Sequence, residues 1–489
     1  MNLTLESSSE EKLKETSGSR KWLVMLGVGI GVLMFGLDVH IVNLSLPTLV
    51  QGFHTSFATI QLVTLSYLVT LTVLMLGAAR LGDLINKKWL YTGGLIVFTV
   101  SSLLCGLSTS ISFLICFRVF QGIGAVFVSA LAAAIITEVF PSSMRGRALG
   151  ILSGIFTLGI AIGPTVGGLL MSLGSWRFIF LINVPLGIIA SAIAGIAVPS
   201  SVTSEVKQSF DVVGLLLLAL ILSCFIWGMN LFQSDNFNVA TKITILAIAA
   251  VGLVYFLRFE SGLNEPLLNL EIFHNLYFSL SLLLNLIVYI VMVGVIFVLP
   301  FFLELVKHYP VQQTGLLMAV SPILFTLVSP ISGTLSDRFG ERIISIIGLL
   351  LAAVGCWAIG TVDTQLTWLG YIVRMAPYAV GLAIFQSPNN SAVMGAVSPQ
   401  RLGIASGLLS LSRTLGQTIG LSLMGVLFST LTISKMSIGV NFDVTNAPVE
   451  ALVFGTQMSF RVVGVVLLVP LILASVLWWQ EKLPQKRND

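Results

Sequence analysis

Apolar stretches long enough to cross a lipid bilayer recur from one end of this 489-residue chain to the other. A membrane-spanning helix needs about 20 mostly apolar residues. By that measure the sequence predicts fourteen spans, starting near Trp22, Phe57, Trp89, Ile111, Ala148, Arg177, Asp211, Ala240, Leu276, Gln312, Ile343, Leu366, Gly403 and Ser459. Only 9% of residues are charged, against roughly 25% in an ordinary globular chain. So little charge cannot cover a soluble protein of this size, and it also argues against disorder, nucleic-acid binding and a secreted enzyme. The four cysteines fall in apolar runs, widely spaced, and read as small buried hydrophobes rather than disulfides or metal ligands.

The basic residues orient the chain. Of 25 Lys and Arg, four (Arg177, Lys242, Lys307, Lys435) fall on the side opposite the N-terminus and four (Arg118, Arg374, Arg413, Arg461) within spans or at their ends. The other seventeen share the N-terminal side, which the positive-inside rule assigns to the cytoplasm. A multi-pass protein of the cell membrane with both termini cytoplasmic is therefore expected. The first apolar run is full length and lacks a small-residue cleavage site, so it is expected to stay as a helix. The connection at 431–457 is expected to be a loop, and no soluble domain is expected outside the membrane.

The sequence is also doubled. ARLGDLINKK (79–88) returns as GTLSDRFGER (333–342), matching Leu81 with Leu335, Asp83 with Asp337 and Lys88 with Arg342. At nearly the same separation Arg118 matches Arg374, and Gly146, Gly150 and Gly163 match Gly403, Gly407 and Gly420. The expected organisation is a tail (1–21), a six-helix bundle (22–198), a linker (199–275) with an extra transmembrane hairpin at about 211–258, a second six-helix bundle (276–479) and a tail (480–489). The hairpin, with Asn230 and Tyr255 as its few polar residues, is expected to be peripheral and lipid-facing.

Five segments in order carry a resemblance: LDVHIVNLSLP (37–47), ARLGDLINKK (79–88), RVFQGIGA (118–125), GIAIGPTVGG (159–168) and WRFIFLINVPLG (176–187). Together they make the chain similar to the fourteen-helix drug–proton antiporter branch of the major facilitator superfamily, over essentially everything after residue 20. The resemblance implies an all-α integral membrane fold of two six-helix bundles, with the substrate site near mid-membrane between them. It also implies a secondary exporter of amphipathic or lipophilic, often cationic, small molecules in exchange for protons. The proton gradient is its energy source, no cofactor is expected, and its partners are the bilayer, protons and the transported compound. A narrow exporter or facilitator of one native metabolite, siderophore, peptide or lipid-like compound fits the same motifs. A non-transporting receptor or scaffold is the third reading.

Asp38 is the only acid deep in any predicted span, where a carboxylate costs roughly 2.5–3.5 kcal/mol on insertion scales. Binding a proton or cation explains its presence; pairing with a fixed Arg to hold the fold is the alternative. Arg118 must itself find a carboxylate, a wet cavity or carbonyls, and the resemblance associates Arg118 and Gln121 with proton transfer. Glu138, at the end of the same span, is a third proton-coupling candidate, with pairing to Arg145 or Arg147 as its structural reading. His40 departs from the family pattern, which has Thr there. Two residues from Asp38, it points to another side of the helix, either as a second titratable group or as a neutral interior His.

Arg80, Asp83, Lys87 and Lys88, with Arg145, read as a conformational latch, repeated at Asp337 and Arg338. Topogenic charge explains the basic members equally well. The family's two glycines are Ala79 and Asn86 in the first copy, and Asn86 is expected to tolerate the left-handed turn. Gly159, Gly163, Gly167 and Gly168 allow close helix approach around Pro164. Candidate cavity residues are His40, Gln61, Tyr67, Gln121, Asn285, Tyr289, Gln386, Asn389, Asn390, Arg413 and Gln417. The four histidines lack metal-ligand spacing, and the chain carries no nucleotide-binding loop, zinc-protease motif or serine-nucleophile motif. An enzyme is therefore not expected.

Overall fold

The computed structural model describes residues 18–200, 211–232, 237–263, 270–397, 402–436 and 444–482. Fourteen helical stretches in it are long and apolar enough to cross a membrane. They are α1 (Gly18–Phe53), α2 (Phe57–Leu84), α3 (Lys87–Leu107), α4 (Ile111–Val139), α5 (Ser142–Ser172), α6 (Phe178–Ala197), α7 (Val212–Leu231) and α8 (Val239–Ser261). After these come α9 (Leu276–Val306), α10 (Val311–Phe339), α11 (Glu341–Ile359), α12 (Trp368–Gly395), α13 (Leu402–Ile433) and α14 (Val449–Trp479). The expected tails at 1–17 and 483–489 lie outside the described residues.

Local chemistry sets many of the helix starts. Ser56, Ser110, Asn238, Asn275 and Thr367 each accept a backbone N–H of the first turn, satisfying a donor that the helix leaves orphaned. Pro448 starts α14 at Val449, ten residues before the apolar run alone suggests (Ser459). Asn86 is a correction of a different kind. Its φ is −55°, and its side chain accepts from Lys88 N at 3.0 Å, so it caps α3 instead of making a left-handed turn. Its repeat partner, Gly340, does adopt φ +90°. The two copies of the loop thus solve the same connection by different backbone chemistry. Among the cysteines, Cys105 and Cys356 are buried but Cys116 is exposed, contrary to the expectation for all four.

Helices α1–α6 pack as one bundle and α9–α14 as another, with α7 lying against α2 and α13. Asn230 Nδ2 fastens α7 to Ala58 O at 2.8 Å, whereas Tyr255 on α8 is exposed. The bundles meet at the end opposite the basic loops. There Phe57 is packed among Phe297, Phe301 and Phe428 with ring centroids 5.0–5.7 Å apart. Gln61 Nε2 donates across to Leu421 O, and the Thr72 and Thr418 hydroxyls bond at 3.0 Å. At the basic end Gly150, Gly154 and Gly407 have nothing within 4 Å of where a Cβ would be. The halves are therefore sealed at one end and parted at the other.

Candidate functional site

Asp38, midway along α1, is fully buried, and so is Arg118 on α4. Arg118 Nη1 donates to Asp38 Oδ2 at 2.6 Å and to Gln121 Oε1 at 2.8 Å, while Gln121 Nε2 donates to Asp38 Oδ1 at 2.9 Å. The three side chains close a triangle. Ser102 Oγ on α3 accepts from Gln121 Nε2 at 2.8 Å, and Asn183 Nδ2 on α6 reaches Asp38 Oδ1 at 3.4 Å. Arg118 Nε donates to Val63 O at 3.2 Å, and the guanidinium lies 4.1 Å from the Tyr67 ring centroid. Charge-assisted bonds of this kind hold a charge that the low-dielectric interior would otherwise reject.

The glycines of α5 bring that helix close against α1 around the network and against the other half beyond it. A Cβ on Gly159 would lie 2.7 Å from Leu33 O, one on Gly163 3.3 Å from both Leu37 O and His40 Cβ, and one on Gly167 2.7 Å from Ile41. Gly168 faces the other half, where its Cβ would be 2.8 Å from Val311 O; Gly315 answers it against Pro164 O. One stripe thus clamps the Asp38 helix and also forms the seal between the halves.

Between the halves lies a cavity of about 180 Å³, with a smaller extension of about 60 Å³ beside it. His40, Tyr289, Gln386, Arg413 and Gln417 line the first, and Asn285 and Asn390 join in the second. Gln386 Nε2 donates to Asn285 Oδ1 at 3.1 Å and to Asn390 Oδ1 at 3.0 Å, and Asn285 Nδ2 donates to Ser412 Oγ at 3.3 Å. Arg413 stands 5.3 Å from the centroid of the Phe156 ring, across the interface. His40 faces this cavity while Asp38 faces Arg118, as their spacing predicts.

Other candidates lie elsewhere. Gln121 and Tyr67 belong to the Asp38 network, and Gln61 belongs to the seal, because α2 and α4 turn those faces into helix contacts. Asn389 is buried away from the cavity, donating to Ser281 O at 3.2 Å to fasten α12 to α9. Glu138 pairs with Lys87 at 2.7 Å, not with Arg145 or Arg147, because it lies within reach of the start of α3 and not of the first turns of α5. Arg145 instead donates to Phe140 O at 3.3 Å. The side chains of Arg80 and Asp83 lie outside the described residues. Lys88 sits over Trp89, and Asp337 and Arg338 are exposed, the latter over Phe339, so the second copy of the latch is open.

Matching glycine contacts fix the internal register. Gly124 packs on Gly94 O and Phe98 N, and Gly381 packs on Gly348 O and Ala352 N. Gly159 packs on Leu33 O, and Gly416 on Leu286 O, each at 2.7 Å from a Cβ position. Asp38, Ser102, Arg118 and Gln121 therefore correspond to Val291, Cys356, Met375 and Tyr378. Arg374, which the motif spacing pairs with Arg118, falls one residue short of that register. It points to the sealed end, where Nε donates to Thr361 Oγ1 at 3.0 Å. Ser102 and Asn183 carry no sequence signal of their own, although Asn183 lies within the 176–187 motif.

The model of the Major Facilitator Superfamily matches residues 28–421 and again 282–489. The riboflavin transporter RibZ of Clostridioides difficile is 32% identical over 457 residues, covering 93% of this chain and 97% of that protein. The multidrug resistance protein Stp of Mycobacterium tuberculosis is 30% identical, covering 82% of this chain and 75% of that one. The tetracenomycin C resistance and export protein of Streptomyces glaucescens is 29% identical, covering 84% and 76%. Among solved structures, an inward-facing bacterial homologue of the human lysosomal transporter Spinster superposes with a TM-score of 0.69 at 18% identity, covering 96% of this chain and all of that one.

Proposed function

This chain belongs to the Major Facilitator Superfamily, a transporter and not an enzyme, and from that premise we propose that it exports amphipathic or lipophilic small molecules in exchange for protons. The observation that carries the reading is the buried Asp38–Arg118–Gln121 triangle, one helix face away from a cavity between the halves. With the basic end in the cytoplasm, as the positive charges suggest, this conformation presents the cavity inward.

A proton arriving on Asp38 removes the negative partner of Arg118 and turns one carboxylate oxygen from acceptor into donor. Arg118 then relies on Gln121 and Val63 O, and the grip of α4 on α1 weakens. Helix α5 contacts α1 at Gly159, Gly163 and Gly167 around this residue and reaches the opposite half at Gly168. A shift of α1 is thereby passed to the seal between the halves, which is the coupling that alternating access requires. Apolar and aromatic walls around a few polar groups suit compounds of varied shape.

A second reading, export or facilitated passage of one native compound, draws support from the similarity to the riboflavin transporter over nearly the whole of both chains. Purified protein in liposomes with an internal pH dye separates the readings. Lipophilic dyes and riboflavin are added in turn under an imposed proton gradient, with Asp38→Asn alongside. Proton movement triggered by several unrelated compounds and lost in the variant supports broad antiport. Movement triggered by riboflavin alone moves the conclusion to the narrow exporter, and flux unaffected by the gradient overturns proton coupling.

A further inference from the structure

Resting on the transport reading above, we propose that the central cavity selects organic acids: compounds with an apolar or aromatic body and a carboxylate or phosphate group that docks on Arg413. Among the described residues, Arg413 is the one Lys, Arg, Asp or Glu that lines the cavity or its extension. His40, the other ionisable group of imidazole or stronger basicity on that wall, adds positive charge when it adds any. A cationic compound, the class the sequence resemblance favours, meets no counter-charge here.

The acids that might have neutralised Arg413 are engaged or distant. Both oxygens of Asp38 accept from Arg118, Gln121 and Asn183 in a sealed network. Glu138 pairs with Lys87 at the basic end. Arg413 sits eleven residues into α13, roughly 16 Å along the helix at 1.5 Å per residue, too far in to be a topogenic end charge. Its guanidinium has an aromatic face for company at Phe156, and the Tyr289 hydroxyl lies beside it. Gln417, one turn farther along the same face, makes no hydrogen bond to another described residue and offers its amide to the same space. A forked cation flanked by a hydroxyl and an amide is a recognition set for a planar or tetrahedral anion. The Phe35, Phe156, Met292 and Phe325 side chains supply the wall for the apolar body.

The equivalent position in the first half sharpens this. Phe156 on α5 is the register partner of Arg413 on α13, and the two face each other across the axis. The cavity therefore sets its one guanidinium opposite an aromatic ring. An amphipathic acid spans the two; a symmetric dication does not.

The test is equilibrium binding to protein in nanodiscs, with empty discs subtracted, using pyrenebutanoate, pyrenebutanamide and pyrenebutylamine as matched fluorescent probes. The acid is expected to bind about tenfold or more tightly than the amine, with the neutral amide between them, as one charge-assisted contact implies. Arg413→Gln should erase the acid's advantage while the amide's affinity holds. Gln417→Glu, which places a carboxylate one turn from Arg413, should do the same, and it decides the matter if Arg413→Gln fails to fold. An amine that binds as tightly as the acid in the unaltered protein overturns the proposal, as does an acid preference that survives both variants. Discs with and without phosphatidylglycerol tell a lipid headgroup from a soluble acid: competition by the lipid makes the docked anion a headgroup. Acid-selective binding without proton movement in liposomes would sink the antiport reading and leave this one standing.

Discussion

At matching depths of the two bundles, the first half holds Asp38, Ser102, Arg118 and Gln121, and the second holds Val291, Cys356, Met375 and Tyr378, all eight largely or fully buried. The close contacts of Gly124 on Gly94 and of Gly159 on Leu33 O recur around them as those of Gly381 on Gly348 and Gly416 on Leu286 O. Lower down, toward the basic end, the chemistry reverses: Asn285, Gln386 and Asn390 in the second half correspond to Val32, Ser129 and Ala133 in the first. One fold therefore supports an ion-pair network or an apolar plug in the same slot. The slot's packing does not require charge, so the charge in the first half needs another reason, and the proposed proton exchange would supply one. The price of that arrangement is a pair of buried ions whose desolvation a Val–Met pair never incurs.

The largest expected effect comes from making the first half resemble the second. Asp38→Val alone strands Arg118 in the interior and should cost about 3–5 kcal/mol, read as a fall in melting temperature or a loss of folded protein. Asp38→Val with Arg118→Met installs the second half's own pair, and stability should return to within about 1 kcal/mol of the unaltered protein or exceed it. Substrate-driven proton movement should be absent from both. A double variant that folds and still moves protons would end the distinction between the halves.

The fold was readable because hydropathy and repeated motifs act over whole helices. Spans need only composition, and the doubling needs only that Asp83 and Asp337 recur in like surroundings. The site was readable where a residue type is costly: an acid and an arginine in apolar spans announce themselves. A pairing of Asp38 with an Arg stands among the sequence's alternatives, but choosing it needs the rotation of α4 against α1, residues 80 apart in sequence. Ser102 and Asn183 carry no such signal, because small polar side chains in spans also bond their own helix backbone, as Thr99 does to Leu95 O at 2.6 Å. Arg374 misled for the opposite reason. Charge identity suggested a match that backbone register denies by one residue, a rotation of about 100° on a helix.

A smaller effect is expected at the seal, where the α5 stripe crosses from its own half to the other. Gly168→Val puts branched carbon against Val311 O and Gln312, and overpacking of this kind costs about 1–3 kcal/mol. The strain falls on the sealed conformation alone, so a cysteine placed at Gln312 should label faster from outside in the Gly168→Val background. Gly425, the register partner of Gly168, meets the tip of the Gln61 side chain instead of backbone, so the clash is relieved by giving up the bond from Gln61 to Leu421 O. Gly425→Val should therefore open the seal less, and equal labelling of the two variants would show that the halves share the seal evenly.

Within the network, Ser102→Ala tests a peripheral member against the triangle itself. Gln121 Nε2 would lose one acceptor and keep Asp38, a deficit of about 0.5–1.5 kcal/mol for an ordinary hydrogen bond. Because the second half holds Cys356 at that position, a weak partner is tolerated by the packing. Proton-coupled flux should drop a fewfold without the abolition expected for Asp38 variants, and Ser102→Cys should fall between alanine and the unaltered residue. A full loss on Ser102→Ala would move the centre of the proton pathway from the ion pair to the Ser102–Gln121 side.

The smallest effect is expected where sequence reasoning left two roles open. Glu138 ties the end of α4 to Lys87 at the start of α3, with 41% of its side-chain surface exposed. Exposed pairs of that kind contribute about 0–1 kcal/mol. The contact lies inside one half, so it cannot lock the two halves together by itself. Glu138→Gln should leave proton-coupled flux within about twofold, with a slight fall in stability that high salt removes from the unaltered protein as well. Asp337, the repeat partner of Asp83 and not of Glu138, is exposed, so Asp337→Asn should cost nothing measurable at this conformation. If Glu138→Gln instead stopped proton movement while Asp38→Asn did not, the proton path would run through the basic end of α4. The buried ion pair would then be a structural peculiarity of the first half, with the transport cycle running elsewhere.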